Sequence, residues 1–130
     1  MHLEDIVSKF GSDYKVEEYK YGYFVLFKDV KLSKYTGNLS FDLNRYWKSV
    51  IGITYEVTVE EADIQGVTWI YVNDDFAKTE AVAKDLIKFF DAEYGDHELR
   101  KTTYVWKDVR GNEIKLSAAL ETRIEVSMHP

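Results

Sequence analysis

The sequence predicts an α+β domain in which an antiparallel sheet of about seven or eight strands packs on one face against a long helix and a short N-terminal helix. Residues 73–95 carry apolar side chains at the spacing of a long amphipathic helix. Most of the remaining chain alternates apolar and polar residues with the period of two that strands show. The connections between these alternating segments are short, which favours antiparallel neighbours.

Residues 1–130 are predicted to form a single domain. A chain of 130 residues with 45% hydrophobic and 15% aromatic residues buries enough surface for a core without covalent cross-links. No linker, low-complexity tract or block of charge separates two parts. The chain contains no cysteine, which excludes disulfides, thiolate catalysis and cysteine-bound metals and fits a reducing compartment, so we expect a cytoplasmic protein.

Charge and hydropathy argue against some classes of partner. A net charge of −6, from 23 acidic and 17 basic residues, disfavours nonspecific nucleic-acid binding and is compatible with a basic protein partner. No apolar run reaches the roughly 18 residues that a membrane span needs. Residues 1–6 lack the basic start and the apolar run of a signal peptide. We therefore expect no membrane partner.

The first half of the chain predicts a short helix followed by strands. Residues 3–10 have helical apolar spacing and end at Gly11. Residues 14–30 are aromatic and β-branched, as in one long strand or in two strands interrupted by a bulge at Gly22. Residues 34–38 are predicted to form a turn, and residues 39–44 a strand with one solvent-exposed face. Residues 51–60 show the most regular alternation of apolar and polar residues, and residues 67–72 are predicted to form a strand covered on both faces.

The second half predicts the long helix and then three strands in a meander. Asn73, Asp74 and Asp75 offer acceptors to the free N–H groups at the helix start, and Gly95 can adopt the left-handed conformation that stops a helix. The strands follow from alternation around Tyr104, over 114–120 and over 124–128.

The two halves also share an order of local patterns. Four pairs of segments can be aligned: 6–11 with 90–95, 27–29 with 106–108, 37–38 with 111–112, and 51–53 with 124–126. The pattern suggests a tandem duplication of a helix-plus-three-strand unit, while chance recurrence of aromatic strands and Gly-Asn turns stays open as the alternative.

This order resembles the architecture of the beta-lactamase inhibitor proteins, in which helices line one face of a sheet and the other face grips a protein. The resemblance implies an open sheet face that binds a protein and assigns no functional residue. The chain is also similar to the type III secretion chaperones, which are small and acidic and begin with a helix followed by strands. It differs from them because it ends in a predicted strand.

The sequence contains no recognisable catalytic, cofactor-binding or metal-binding motif. His97 lies between two acidic residues in a connection, and we expect a solvated loop there because neighbours on an extended segment point apart. No Gly-x-Ser-x-Gly elbow or phosphate-binding glycine run occurs. Among Asp42, Glu56 and Glu60, two acids can meet across strands as a hydrolytic carboxylate pair, but a solvent-exposed sheet face explains all three more simply.

The aromatic residues beside predicted turns give the candidate site. Tyr35, Tyr46 and Trp47, together with the acids Asp42 and Glu56, are predicted to form a partner-facing patch, because Tyr and Trp are favoured at protein interfaces. The predicted function is a non-enzymatic, acidic protein-binding domain of an inhibitor or immunity type found in bacteria. Two alternatives stay open: a small-ligand-binding domain with an aromatic-lined pocket between sheet and helix, and a secretion-chaperone-like protein. The sequence predicts no oligomeric state.

Overall fold

The computed structural model describes residues 2–44, 47–56, 58–59, 62–120 and 122–129. Two helices lie within these ranges, α1 (Leu3–Phe10) and α2 (Phe76–Tyr94). The strands, in chain order, are β1 (Lys15–Tyr19), β2 (Gly22–Leu32), β3 (Tyr35–Asn44), β4 (Trp47–Val50), β5 (Ile53–Glu56), β6 (Ile64–Val72), β7 (Glu98–Arg100), β8 (Thr103–Lys107), β9 (Glu113–Leu120) and β10 (Arg123–His129).

Eight of the strands form one antiparallel sheet in the order β1-β2-β3-β6-β10-β9-β8-β7. The prediction of an α+β fold with a sheet of seven or eight strands is confirmed. Strands β4 and β5 pair only with each other and form a separate hairpin. Neither helix of the described ranges is long and apolar enough to cross a membrane.

Side chains from both helices enter the buried core. The Phe10 ring of α1 lies 5.6 Å from the rings of Phe27 and Phe41. In α2, the Phe90 ring lies 5.1 Å from the ring of Trp106. Because Phe27, Phe41 and Trp106 occupy one alternating set of the registered strands, these contacts define the face of the sheet that meets the helices.

The sheet topology supports a duplication with larger units than predicted. A helix followed by four strands of the large sheet occurs twice, with the β4–β5 hairpin inserted in the first unit, and β6 pairs with β10 where the units meet. Gly11 and Gly95 end their helices in nearly the same conformation, with φ of 91° and 90°. Their N–H groups donate to the carbonyls of Val7 and Asp91, four residues earlier in each case.

Two of the aligned segment pairs need correction. Ile51 and Gly52 form the turn of the β4–β5 hairpin, so residues 51–53 are not the counterpart of β10. Gly37 and Asn38 lie inside β3 and not in a turn, because β3 begins at Tyr35 and pairs with β2 from there. The match of Phe27 with Trp106 agrees with the topology, since each is buried on the second strand of its unit.

A bulge in β2 changes which residues face the helices. The register between β2 and β3 shifts between Phe27 and Val30, and Asp29 has a φ of 57°. The backbone N–H of Asp29 donates to the side chain of Asn38 at 3.4 Å. For residues 14–30 the sequence left open one long strand or two strands interrupted by a bulge at Gly22. The structure has two strands, and the interruption before Gly22 is a tight turn and not a bulge. The extra residue puts Val30 on the helix-facing side, so the core continues past the bulge.

The ends of α2 agree closely with the sequence. Asp75 is the N-cap, and its side chain accepts a hydrogen bond from the N–H of Lys78. Asn73 lies outside the helix and accepts from the N–H of Asp75. The helix therefore starts at Phe76, three residues later than the first acceptor in the predicted range.

The turn of the β4–β5 hairpin holds a β-branched residue in the left-handed region. Ile51 has a φ of 50°, Gly52 follows with a φ of 73°, and the Ile51 side chain is 96% exposed. Two-residue hairpin turns of this kind favour Asn-Gly, because asparagine tolerates positive φ and isoleucine does not. We expect Ile51→Asn to stabilise the hairpin by about 1 kcal/mol.

Hydrogen exchange of the β4 and β5 amides measures this change, with exchange slowing by about fivefold for 1 kcal/mol. The matched control is Ile53→Asn, which removes a similar exposed apolar side chain from a strand position and should not slow exchange. Unchanged or faster exchange in Ile51→Asn would show that Ile51 is not strained.

Candidate functional site

Tyr35 and Asp42, the two predicted patch residues whose side chains the structure describes, do not share one surface. Tyr35 and Asp42 both lie on β3, but an odd number of positions separates them, so they face opposite sides of the sheet. The backbones of Trp47 and Glu56 pair with each other at the base of the β4–β5 hairpin. Their side chains, and the whole of Tyr46, lie outside the described part of the chain, as does Glu60.

Tyr35 is bonded to the long helix. Its hydroxyl donates to the carboxylate of Asp85 on α2, and its ring lies 6.2 Å from that of Tyr71. The hydrogen bond to Asp85, with some burial, raises the pKa of Tyr35 to about 12. The same bond lowers the pKa of Asp85, whose carboxylate also lies 3.7 Å from Nζ of Lys34. These contacts give Tyr35 a role in holding α2 against the end of β3.

Asp42 lies on the other face and is bonded to Tyr19. The Tyr19 hydroxyl donates to Oδ1 of Asp42 at 2.7 Å. Burial, followed by this hydrogen bond, raises the pKa of Tyr19 to about 12. The Tyr19 ring stacks on Phe24 with centroids 4.4 Å apart and an interplanar angle of 11°. The hydrogen bond and the stacking together hold the Tyr19 ring against Phe24.

Around Tyr19 the face away from the helices carries an uncharged, mainly apolar set of side chains. We call this set the aromatic strip: Tyr19, Tyr21, Phe24, Leu26 and Ile70. The strand registers place Tyr19, Phe24, Leu26 and Ile70 on this face of β1, β2 and β6. Tyr21 lies in the turn between β1 and β2, with its ring 6.3 Å from that of Tyr19. Tyr21 is 66% exposed, and the other four are partly buried. The strip was not predicted from the sequence. Its signal was that β2 and β6 carry apolar residues at both odd and even positions, which indicates apolar side chains on both faces of these strands.

The second unit presents charged residues on the same face of the sheet. Arg100 lies 3.1 Å from a carboxylate oxygen of Glu98 and 2.9 Å from one of Glu113. Arg123 lies 2.7 Å from Glu125. Hydrogen bonding and charge from Arg100 lower the pKa of Glu98.

The first unit also carries an ion pair on this face, since Lys15 and Glu17 lie opposite Leu26 and Phe24 and approach each other to 3.3 Å. The aromatic strip is therefore flanked by ion pairs in both units.

The helix side of the molecule has an open groove of about 540 Å³, which we call the interhelix groove. It lies between the C-terminal ends of α1 and α2, above the strands of the sheet centre. Aromatic and aliphatic residues from both helices and from five strands line it: Phe10, Val30, Leu32, Leu39, Val67, Trp69, Phe89, Phe90, Tyr94, Ile114, Val126 and Met128. Lys9, Lys31 and Glu93 are its charged lining residues.

His97 lies in the connection from α2 to β7 inside the second unit, and its side chain is partly buried there and not, as expected, fully solvated. Nδ1 of His97 lies 3.0 Å from Oδ1 of Asp91, and the imidazole ring lies 5.0 Å from that of Tyr104. Oδ1 of Asp91 also accepts hydrogen bonds from Nε1 of Trp106 at 2.9 Å and from the backbone N–H of His97 at 3.2 Å. Partial burial favours a raised pKa of Asp91, but these hydrogen bonds outweigh it and lower the pKa.

The contacts among His97, Asp91 and Trp106 connect elements of the second unit. Asp91 joins the end of α2 to the indole of Trp106, and His97 closes the connection to β7. Within the described ranges no hydroxyl is hydrogen-bonded to His97, and no group of three or more His, Asp and Glu side chains is arranged to hold a metal ion. No protein-family model, curated protein or solved structure matches the chain.

Proposed function

We propose that the chain is a non-enzymatic protein-binding domain, of the inhibitor or immunity type, and that it binds its partner through the aromatic strip. The observation that carries this proposal is the aromatic strip on the sheet face away from the helices. Ion-paired side chains flank the strip, Lys15 with Glu17 in the first unit and the pairs of Arg100 and Arg123 in the second.

This arrangement matches the anatomy of protein interfaces. Their centres are enriched in Tyr, Phe and Trp and depleted in charge, and their rims are polar. Stacking on Phe24 and the hydrogen bond to Asp42 restrict the Tyr19 ring before any partner arrives, which lowers the entropy cost of binding. The acidic side chains on this face are largely paired with arginine or lysine, so they give no local reason to expect a basic partner. That expectation rests on the net charge of −6 alone.

Site-specific cross-linking tests the proposal. A photo-reactive phenylalanine analogue at Tyr21, which is 66% exposed, should capture a defined protein from the source cells. The same analogue at Lys84, on the exposed side of α2, is the control and should not capture it. The captured protein, once purified, should bind the wild-type chain and lose at least about tenfold in affinity for Leu26→Glu, which places a charge in the strip.

Leu26→Glu must remain folded for the comparison to count, and its circular dichroism spectrum and unfolding midpoint test this. Because Leu26 is only partly buried, we expect a loss of stability of about 1 kcal/mol. Equal capture from position 84, or unchanged affinity of folded Leu26→Glu for the captured protein, would contradict binding through the strip.

A second candidate function is the binding of a small apolar ligand in the interhelix groove. Its volume of about 540 Å³ lies within the roughly 300 to 1,000 Å³ that ligand sites in proteins occupy. Its lining comes from both helices and from the sheet, so a ligand there would contact both units. The two functions use opposite faces of the sheet and are compatible with each other.

A further inference from the structure

We propose that the interhelix groove binds a single-chain amphiphile with a carboxylate head, with the alkyl chain in the groove and the carboxylate beside Lys9. This inference rests on the second candidate function, ligand binding in the groove, and adds the chemical class of the ligand. The protein-binding function proposed for the aromatic strip does not depend on it.

The lining of the groove suits an alkyl chain. Leu39, Val67 and Ile114 contribute from the sheet, and Phe10 and Phe90 contribute from the ends of the two helices. Each methylene group moved from water into such surroundings gains about 0.8 kcal/mol. A charged group placed deep in the groove would lose its hydration without a partner, which is costly. The head group of a ligand must therefore stay at the charged edge.

A single lysine offers its charge to an anion at that edge. Lys9 and Glu93 lie on the α1 and α2 sides of the groove, while Lys31 alternates on β2 with the groove-facing Val30 and Leu32 and so directs its side chain to the opposite face. Within the described ranges Lys9 forms no ion pair with a carboxylate. Nζ of Lys9 lies 5.6 Å from the centroid of the Phe10 ring, which itself lines the groove. This position puts an ammonium group directly beside an apolar wall.

An anionic head is therefore complementary to Lys9, while a cationic head at the same position would be repelled by Lys9. Glu93 occupies the position in α2 that Lys9 occupies in α1, two residues before the glycine that ends each helix. The two units thus provide opposite charges on the two sides of one groove. The ligand is expected to bind with its head toward the α1 side.

Isothermal titration of the full chain with decanoate, decanol and decyltrimethylammonium, each below its micelle concentration, tests the inference. We expect decanoate to bind about tenfold more tightly than decyltrimethylammonium, and more tightly than decanol. Lys9→Gln should reduce the affinity for decanoate by about fivefold and leave that for decanol unchanged. The matched control is Lys84→Gln, on the exposed side of α2 and outside the groove.

A variant that narrows the groove locates the site. Met128 lines the groove and is 37% exposed, so Met128→Trp should fold and reduce decanoate binding by at least about tenfold. The same change at Leu99, which is 56% exposed and outside the groove, is the control.

The outcomes distinguish the preference for a carboxylate head from ligand binding in the interhelix groove as such. If decanoate and decanol bind equally and Lys9→Gln changes neither affinity, the carboxylate inference is overturned while ligand binding stands. If no probe binds, or if Met128→Trp leaves binding unchanged, ligand binding in the groove fails as well.

Discussion

Replacing Gly37 by alanine is expected to destabilise the protein by about 3 kcal/mol, because β3 has no room for a side chain there. A Cβ atom at Gly37 would lie 2.5 Å from the carbonyl oxygen of Ile70 and 2.5 Å from Cε2 of the Trp69 indole. The indole is itself fixed, since its Nε1 donates to the carbonyl of Val30 at 2.9 Å. An alanine side chain at position 37 can avoid these clashes only if β3 and β6 separate or the Trp69 indole moves and loses its hydrogen bond.

Urea unfolding measures the effect as a lower midpoint with an unchanged dependence on urea concentration. Thr36→Ala is the control, because Thr36 is the exposed neighbour on the same strand, and it should change stability by no more than about 0.5 kcal/mol. The double variant Gly37→Ala with Trp69→Phe should lose less stability than the sum of the single changes, since the smaller ring removes one of the two clashes. A loss for Gly37→Ala no larger than that of the control would contradict the close packing.

Replacing Asp91 by leucine is expected to destabilise the protein by about 3 kcal/mol, because it removes an acceptor shared by three donors. The indole N–H of Trp106 and two N–H groups of His97 are left without Asp91, and Trp106 is only 2% exposed. Asp91→Asn keeps a carbonyl oxygen that can accept from the indole, so it should lose only about 1 kcal/mol. Asp96→Asn, at an exposed position nearby, is the control.

The contribution of Asp91 should also depend on pH. The pKa of Asp91 is lowered in the folded protein, so the unfolded chain takes up its proton at a higher pH than the folded chain does. The stability advantage of the wild type over Asp91→Asn should be complete above the unfolded pKa of about 3.9. This stability advantage should be lost as the pH falls through the pKa that Asp91 has in the folded protein. Urea unfolding at a series of pH values measures it, and an advantage that grows on acidification would contradict the lowered pKa.

Several elements could be predicted because their signals are local. The start of α2 follows from Asp75 and its stop from Gly95, since caps act within a few residues. The antiparallel arrangement follows from alternation and short turns. The positions of Tyr35 and Asp42 on opposite faces also follow from alternation along one strand, although the predicted patch combined them.

The aromatic strip and the interhelix groove depend on contacts between distant parts of the chain. The strip gathers Phe24, Leu26 and Ile70 only because β3 lies between β2 and β6 in this register. The groove exists because β6 pairs with β10, which sets the ends of α1 and α2 on one face. Neither the pairing of β3 with β6 nor that of β6 with β10 is marked by a local pattern, since each strand could pair with other strands of similar composition.

The sequence by itself determined the class of fold, the two helices with their glycine stops and the antiparallel strands, because hydrophobic periodicity, caps and turns act over short stretches of chain. Only the tertiary structure decided the close approach of Trp69 to Gly37, the bonding of Tyr35 to Asp85 and the surfaces that can bind a partner. These features arise where strands distant in sequence lie side by side. Their positions are therefore set by packing of the whole core and not by any one segment.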